Sequence, residues 1–236
     1  MSELVVALDF GSKKEALEMA EKLKGIVPWV KVGLELFVAE GPSLIEELKA
    51  LEYKVFLDMK FFDIPNTVRG AVRSAAQSGA DMMNIHVLGG QRMAEGALEG
   101  LRDAAKLTGR TNLPILLGVT ILTSMGSEDM FFAQEQSVGT MVVDLASRGK
   151  EWGLDGVVCS GLEVENIKKA CGAEYLCLTP GIRMPDAAGG DDQRRVVTPA
   201  DAVKNGSDYL VMGRPITGAD DPAAAAEAAI KNMNSA

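Results

Sequence analysis

Short apolar runs alternate along the chain with longer segments in which apolar residues recur every three or four positions. Runs of the first kind are typical of strands buried on both faces of a parallel sheet, and segments of the second kind are typical of amphipathic helices. The pattern predicts eight strands, at residues 4–10, 29–34, 54–60, 81–87, 114–120, 156–160, 175–179 and 209–213. A helix is expected after each strand, and the helix between the second and third strands is expected to begin at residues 41–43.

This alternation predicts an α/β fold, a (β/α)8 TIM barrel, with residues 1–236 forming a single domain. The competing layout is a doubly wound open sheet, which usually has fewer strands and a glycine-rich first turn. The first turn here, at residues 10–13, lacks the G-x-G-x-x-G pattern. Because no linker or change in composition divides the chain, we expect one barrel.

Composition narrows the choice of partners and of cellular setting. The formal net charge of −9 argues against nucleic acid, because nucleic-acid-binding proteins present basic surfaces. No apolar run approaches the ~18 residues of a membrane span, and the first residues lack the pattern of a signal peptide. Three cysteines and a single histidine provide neither a disulfide framework nor a Cys/His metal cluster. We expect a cytoplasmic protein that contacts no membrane and binds no metal.

The third predicted strand places two opposite charges on one face. Its apolar residues Val55, Leu57 and Met59 alternate with a second set that includes Asp58 and Lys60. If the second set points into a barrel, both charges leave water, which is costly unless each has a partner. The alternative is an exposed ion pair on an edge strand, which is worth about 0–1 kcal/mol and indicates no function.

Polar and charged side chains collect where the predicted strands end, which is the end that carries the active site in such barrels. They are Asp9, Lys31, Asp58, Lys60, Asp63, Thr123, Arg183, Gln193 and Arg214. The loops before the strands carry no comparable set, so we expect charge at one end of the barrel only. Singly, Asp9 could cap a turn, and Lys31 could extend past apolar neighbours into solvent.

The loops after the seventh and eighth strands have the composition of a phosphate site. Gly213 and Arg214 end the eighth strand, and glycine lets backbone N–H groups approach an anion closely. The loop at residues 180–195 contains glycine and proline and is expected to act as a lid. The alternative for its Gly189-Gly190 pair is an ordinary flexible surface loop.

Three further residues are assigned to packing or support. His86 lies in an apolar strand and is expected to be a hydrogen-bonded core residue or to support the site from behind. Cys159 and Cys177 have no cation nearby in the sequence that would lower the pKa of a thiol, so we expect both to be buried and unreactive.

Several segments, spread over essentially the whole chain, carry a family resemblance. They are residues 8–9, 31–33, 122–124, 179–183, 192–194 and 213–214, and the run D-M-K-F-F-D-I-P-N-T at 58–67. As a set they resemble the bacterial type of orotidine 5′-monophosphate decarboxylase, although D-x-K-x-x-D alone also occurs in related sugar-phosphate decarboxylases. The resemblance implies decarboxylation of orotidine 5′-monophosphate to uridine 5′-monophosphate, the last step of de novo pyrimidine nucleotide synthesis, by a homodimer without a cofactor.

The resemblance also implies residue roles. Lys60 would donate a proton to C6 of the pyrimidine, and Asp58 would lie beside the departing carboxylate. Lys31 and Asp63 would complete an alternating row of charges. Asp63, Ile64 and Thr67 would reach in from the second subunit. The remaining substrate contacts would be Asp9, Lys31 and Asp63 on the ribose, Thr123 and Ser124 on the pyrimidine edge, and Arg183, Gln193, Gly213 and Arg214 on the phosphate.

Two other functions remain open from the sequence. A metal-dependent decarboxylase or aldolase of the same barrel group would carry an acidic metal ligand at the end of the second strand, where this chain has Lys31. A non-catalytic phosphate-binding barrel would use Gly213 and Arg214 but would have no use for Asp58 and Lys60.

Overall fold

The computed structural model describes residues 2–129, 137–185 and 195–236. Its eight parallel strands close into one barrel in chain order, with β1 paired to both β2 and β8. The strands are β1 (Glu3–Ala7), β2 (Trp29–Val32), β3 (Lys54–Phe61), β4 (Met82–His86), β5 (Ile115–Val119), β6 (Gly156–Val158), β7 (Leu176–Thr179) and β8 (Tyr209–Met212). The (β/α)8 TIM barrel expected from the sequence is confirmed, and the ends of its strands differ from the predicted ends by a few residues.

Helices surround the barrel. They are α1 (Lys13–Leu23), α2 (Leu34–Glu40), α3 (Ser43–Ala50), α4 (Pro65–Gln77), α5 (Gln91–Thr108), α6 (Val138–Glu151), α7 (Val164–Cys171), α8 (Pro199–Lys204), α9 (Arg214–Thr217) and α10 (Pro222–Met233). The expectation of a single helix between β2 and β3 is wrong, because α2 begins directly after Gly33 and α3 follows it. Within the described residues, no helix is long and apolar enough to span a membrane.

The apolar core has two layers, because successive side chains of a strand point to opposite faces. Inside the barrel, Phe56 of β3 packs with Leu117 of β5 and Leu178 of β7. Between the strands and the helices, Val55 and Leu57 are fully buried in a larger cluster. Asp58 therefore shares the inward face with Phe56, as the alternation predicts.

The three cysteines also lie where packing residues belong. Cys159, Cys171 and Cys177 are free thiols, and all three are buried. The neighbouring Cys177 and, after it, burial raise the pKa of the Cys159 thiol well above its usual range. The expectation that Cys159 and Cys177 are buried and unreactive agrees with this environment.

Three aspartates join neighbouring strands at the amino ends of the barrel. Asp81, Asp155 and Asp208 immediately precede β4, β6 and β8, and each carboxylate accepts a backbone N–H of the strand before it. The donors are Val55, Leu116 and Cys177, at 2.8, 2.7 and 2.7 Å. The cationic partners of Asp81 and Asp208 are Lys49, Arg110 and Lys168. The expectation of charge at one end only is therefore wrong, because the amino ends carry charged groups that hold strands together.

The ladder between β3 and β4 is interrupted where the charged face begins. Between two successive pairs of the ladder, β3 advances four residues, from Leu57 to Phe61, while β4 advances two, from Met83 to Ile85. In this bulge Lys60 has a φ of 51°, in the left-handed region that non-glycine residues rarely adopt. Such backbone strain costs about 1–3 kcal/mol and persists only where neighbouring groups hold it in place.

Candidate active site

A cavity of about 580 Å³ opens at the carboxyl ends of the strands. Its walls include nine of the residues that the sequence singles out: Asp9, Lys31, Asp58, Lys60, Thr123, Ser124, Arg183, Gly213 and Arg214. Its floor is apolar, since Phe56, Val119, Val158 and Leu178 of the inner core reach its base. The cavity therefore combines a surface suited to a flat ring with charged groups on its rim.

The charged groups form a continuous row of alternating sign. Lys60 Nζ lies 2.7 Å from Asp58 Oδ1, and Asp58 Oδ2 lies 3.7 Å from Lys31 Nζ. Lys31 Nζ in turn donates a hydrogen bond of 2.8 Å to Asp9 Oδ1. The side chains of Lys31 and Asp58 are only 9% and 13% exposed, which rules out the reading of an exposed ion pair on an edge strand.

The ion pairs outweigh the effect of burial on Asp58. Burial alone would raise the pKa of this carboxyl, but Lys31 and Lys60, together with hydrogen bonds from Lys60 and Asn84, lower its pKa below the usual range. Asp58 is therefore a carboxylate at neutral pH. A fixed negative charge thus lies between two ammonium groups in the wall of the cavity.

Gly33 leaves room for one end of the row. A Cβ atom at this position would lie 2.9 Å from Lys31 Nζ and 3.1 Å from Asp9 Oδ1. Any side chain here would push the two partners apart. The glycine between β2 and α2 thus lets Lys31 and Asp9 keep this ion-pair geometry.

Asn84 is a site residue that the sequence reasoning missed. It faces the barrel interior from β4 and is 0% exposed. Its Oδ1 accepts the N–H of Lys60 at 2.7 Å, and its Nδ2 donates to Asp58 Oδ1 at 2.7 Å. The available signal was an amide in the middle of an apolar strand, since a buried amide needs partners on neighbouring strands.

Three of the four residues expected on the phosphate, Arg183, Gly213 and Arg214, line the β7 and β8 side of the cavity. Arg183 follows β7, and Arg214 opens α9 directly after Gly213. Arg183 N donates to the carbonyl of Val197, so the chain returns to the barrel beside Arg183. Gln193 and the greater part of the expected lid at residues 180–195 lie outside the described residues.

Asp63, Ile64 and Thr67 do not line the cavity of their own chain. All three are exposed, and Asp63 Oδ1 accepts the backbone N–H of Ile64 at 2.6 Å. Together with Phe62, which is 62% exposed, Ile64 forms an apolar surface beside the mouth of the barrel. Their expected contacts with the site of a neighbouring subunit stay a prediction.

His86 lies behind the row of charges and does not line the cavity. Its ring packs edge to face against Phe62, with centroids 5.6 Å apart. Burial first, and then the charge of Lys60, lower its pKa, so the ring is neutral at physiological pH. A supporting position, as expected from the sequence, fits these contacts.

The family of the chain can be determined by comparison with known proteins. A model of the orotidine 5′-phosphate decarboxylase / HUMPS family matches residues 2–229. The chain belongs to this family. Among the described residues, no three His, Cys, Asp or Glu side chains are arranged to hold a metal ion.

Relatives within the family are similar over their full length. The chain is 59% identical to an orotidine 5′-phosphate decarboxylase of Nitratidesulfovibrio vulgaris (strain DP4), covering 99% of this chain and 98% of the relative. It is also 59% identical to one of Maridesulfovibrio salexigens, covering 100% of both chains. The crystal structure of orotidine 5′-phosphate decarboxylase from Lactobacillus acidophilus superposes with a TM-score of 0.86 at 38% identity, covering 99% of this chain and 100% of that one.

Proposed function

We propose that the protein decarboxylates orotidine 5′-monophosphate to uridine 5′-monophosphate, the last step of de novo pyrimidine nucleotide synthesis, without a cofactor. The observation that carries the proposal is the Lys60–Asp58–Lys31–Asp9 row, which lines a cavity with an apolar floor. The family and the names of its relatives at 59% identity support the same reaction. The expected setting is the cytoplasm, where three free thiols remain reduced.

The chemistry requires a cation at one carbon atom. When CO2 leaves C6 of the pyrimidine, the bonding electron pair remains on that carbon, and ring resonance spreads it poorly. The ammonium group of Lys60 stabilises this charge and then transfers a proton to C6, which forms the C–H bond of the product. Asp58, held as a carboxylate, orients Lys60 and faces the substrate carboxylate. Repulsion between these two carboxylates is a secondary contribution.

The other residues of the cavity bind the nucleotide in this proposal. Thr123 and Ser124 contact the pyrimidine edge, and Asp9 and Lys31 hold ribose hydroxyls. The phosphate is bound by Arg183, Gln193, Gly213 and Arg214. Asp63, Ile64 and Thr67 complete the site of the neighbouring subunit in a homodimer, with Asp63 extending the row of charges beyond Lys60.

The size of the activation barrier explains why so many contacts bind the phosphate, which does not react. Enzymes accelerate slow reactions by up to ~10¹⁷-fold, which corresponds to about 23 kcal/mol. One preorganised polar contact supplies about 3–4 kcal/mol, so Lys60 alone is insufficient. Binding energy from the remote phosphate can supply part of the remainder when it is used to hold the substrate against the charged row.

The competing functions differ in their need for a metal. A metal-dependent decarboxylase of the same barrel group needs a carboxylate near the end of β2, where Lys31 repels a divalent cation. A non-catalytic phosphate-binding barrel gives no reason to desolvate Asp58, whose side chain is 13% exposed. Neither alternative accounts for the alternating row.

The test follows the loss of orotidine 5′-monophosphate absorbance with purified protein in excess EDTA. We expect full turnover under these conditions. Activity that disappears with EDTA and returns with Mg²⁺ would favour the metal-dependent alternative. Nucleotide binding without turnover, with or without metal, would favour the non-catalytic barrel.

A further inference from the structure

The amide of Asn84 links the backbone of Lys60 to the carboxylate of Asp58. Both of its polar ends are engaged, each at 2.7 Å, and the side chain is fully buried. It does not line the cavity, so it cannot contact a substrate there. Any effect of Asn84 on the reaction must therefore pass through the two residues that it joins.

The backbone of Lys60 needs such a partner because the β3–β4 ladder is broken around it. Regular pairing stops at Leu57 and resumes at Phe61, so the Lys60 N–H has lost its strand partner. The side chain of Asn84 replaces the missing carbonyl. With a φ of 51°, Lys60 also holds a conformation that relaxes unless its surroundings fix it.

The carboxylate of Asp58 is oriented by the same amide. Asp58 Oδ1 accepts both Asn84 Nδ2 and Lys60 Nζ, each at 2.7 Å. Its second oxygen then lies toward Lys31, at 3.7 Å from Nζ. Without the donor from Asn84, the carboxyl group can rotate and the ammonium group of Lys60 can follow it.

We propose that Asn84 is a positioning residue for decarboxylation, which holds the backbone of Lys60 in the left-handed conformation and fixes the oxygen of Asp58 that orients its ammonium group. The proposal rests on the proposed function for its kinetic consequences. Its structural consequences, for Lys60 and Asp58 in the substrate-free protein, do not depend on any activity.

The first test replaces the amide with an apolar group of similar size. In Asn84→Leu we expect kcat to fall by about 10²-fold, since misplacing a reacting group by about 1 Å has that effect, while KM changes by less than about threefold. The control is Asn205→Leu, which removes an amide that donates to the Gly161 carbonyl; neither residue lines the cavity, and the kcat of this variant should remain at the wild-type value. A wild-type kcat in folded Asn84→Leu would overturn the proposal.

The second test, Asn84→Asp, keeps the size and makes the donor depend on pH. A carboxylic acid at position 84 can donate to Asp58 and accept from Lys60, but a carboxylate cannot donate. Oxygens about 2.7 Å apart share a proton, so the pair should titrate above the ordinary range of a carboxyl group. We therefore expect the kcat of Asn84→Asp to rise toward the wild-type value as the pH falls.

The other groups around position 84 are common to both proteins. Lys60 and Asp58 face it from β3, Lys31 lies beyond them on β2, and His86 is two positions along β4, while β5 pairs the apolar Leu117 with it. Dividing the kcat of Asn84→Asp by that of the wild type at each pH removes the contribution of these shared groups. A ratio that does not change with pH would contradict the proposed donor.

A third measurement separates this proposal from the proposed function. In substrate-free protein, carbon-13 NMR should show the Asp58 carboxyl titrating at higher pH in Asn84→Leu than in the wild type, with no such change in Asn205→Leu. If the wild type fails to decarboxylate orotidine 5′-monophosphate, the proposed function fails by itself, and this titration still decides the role of Asn84. An unchanged Asp58 titration would overturn it.

Discussion

At the scale of single residues, Asp58 determines the character of the site. Its side chain is 13% exposed and yet ionised, because Lys31, Lys60 and the amide of Asn84 compensate for its desolvation. Removing either cation would leave a buried charge without sufficient compensation. A carboxylate in this position also makes the stability of the fold depend on pH.

The lowered pKa of Asp58 predicts the sign of that dependence. The unfolded carboxyl titrates near ~3.9 and the folded one lower, so the stabilisation is complete above about pH 5 and is lost as the pH falls through the folded pKa. In Asp58→Asn the urea midpoint should therefore fall less steeply below pH 4 than in the wild type. Asp144→Asn, at an exposed position on α6, controls for the loss of one carboxylate. Urea midpoints that fall in parallel with pH for the wild type and Asp58→Asn would contradict the lowered pKa of Asp58.

The sequence predicts much of the site, and the remainder depends on tertiary contacts. Asp58 and Lys60 are visible because an i, i+2 pair shares one face of a strand. The link from Asn84 to Lys60 is not visible, since it arises from a bulge that shifts β3 relative to β4. Nor does periodicity alone indicate the positive φ of Lys60.

At the scale of elements, the contact between α4 and α5 depends on two glycines. A Cβ on Gly96 would lie 2.7 Å from the carbonyl oxygen of Pro65, and one on Gly100 would overlap with the carbonyl oxygen of Arg69. Both neighbours are backbone atoms of α4, which cannot move aside as a side chain can. Since α4 begins at Pro65, this packing also positions Asp63 and Ile64 just before it.

Gly100→Ala should destabilise the protein by about 1–3 kcal/mol, because the two helices must separate. Gly70→Ala, on the facing helix, is the matched control, since its new methyl group meets nothing within 4 Å. That change should be neutral or stabilising by up to about 1 kcal/mol through helix propensity. Chemical denaturation of both variants measures the difference, and equal stabilities would contradict close helix packing.

The sequence pattern locates most elements and misses one for a physical reason. The seven residues of α2 follow β2 after a single glycine, so the apolar residues of strand and helix merge into one run. Leu34 and Val38 are 51% and 78% exposed, and α2 therefore lacks the apolar stripe that marks a surface helix. By contrast, Pro65 at the start of α4 marks a helix that the sequence predicts correctly.

At the scale of the whole molecule, the residues of the proposed site fall into two groups. Lys60 and Arg214 line the cavity of their own chain, whereas Asp63 and Thr67 are exposed beside it. A two-fold dimer that brings these residues to the neighbouring cavity would complete both sites at once. It would also cover the exposed Phe62 and Ile64.

Mixing inactive variants tests this arrangement. If Asp63 serves the neighbouring site, an equal mixture of Lys60→Ala and Asp63→Ala subunits, exchanged to equilibrium, should recover about a quarter of wild-type activity, since half of the dimers are mixed and each has one intact site. A mixture of Lys60→Ala and Arg214→Ala should recover none, because both residues belong to the same chain's cavity. Failure of the first mixture to gain activity would show that Asp63 does not act across subunits.

The most direct test of the central claim is the turnover of orotidine 5′-monophosphate by Lys60→Ala in EDTA. Its kcat should fall by at least about 10³-fold, since both charge stabilisation and the proton donor are lost, while uridine 5′-monophosphate still binds. Lys54→Ala, at the other end of β3 and outside the cavity, should keep the wild-type kcat. A Lys60→Ala protein with wild-type kcat would contradict the assignment of Lys60 as the group that stabilises and protonates the carbanion.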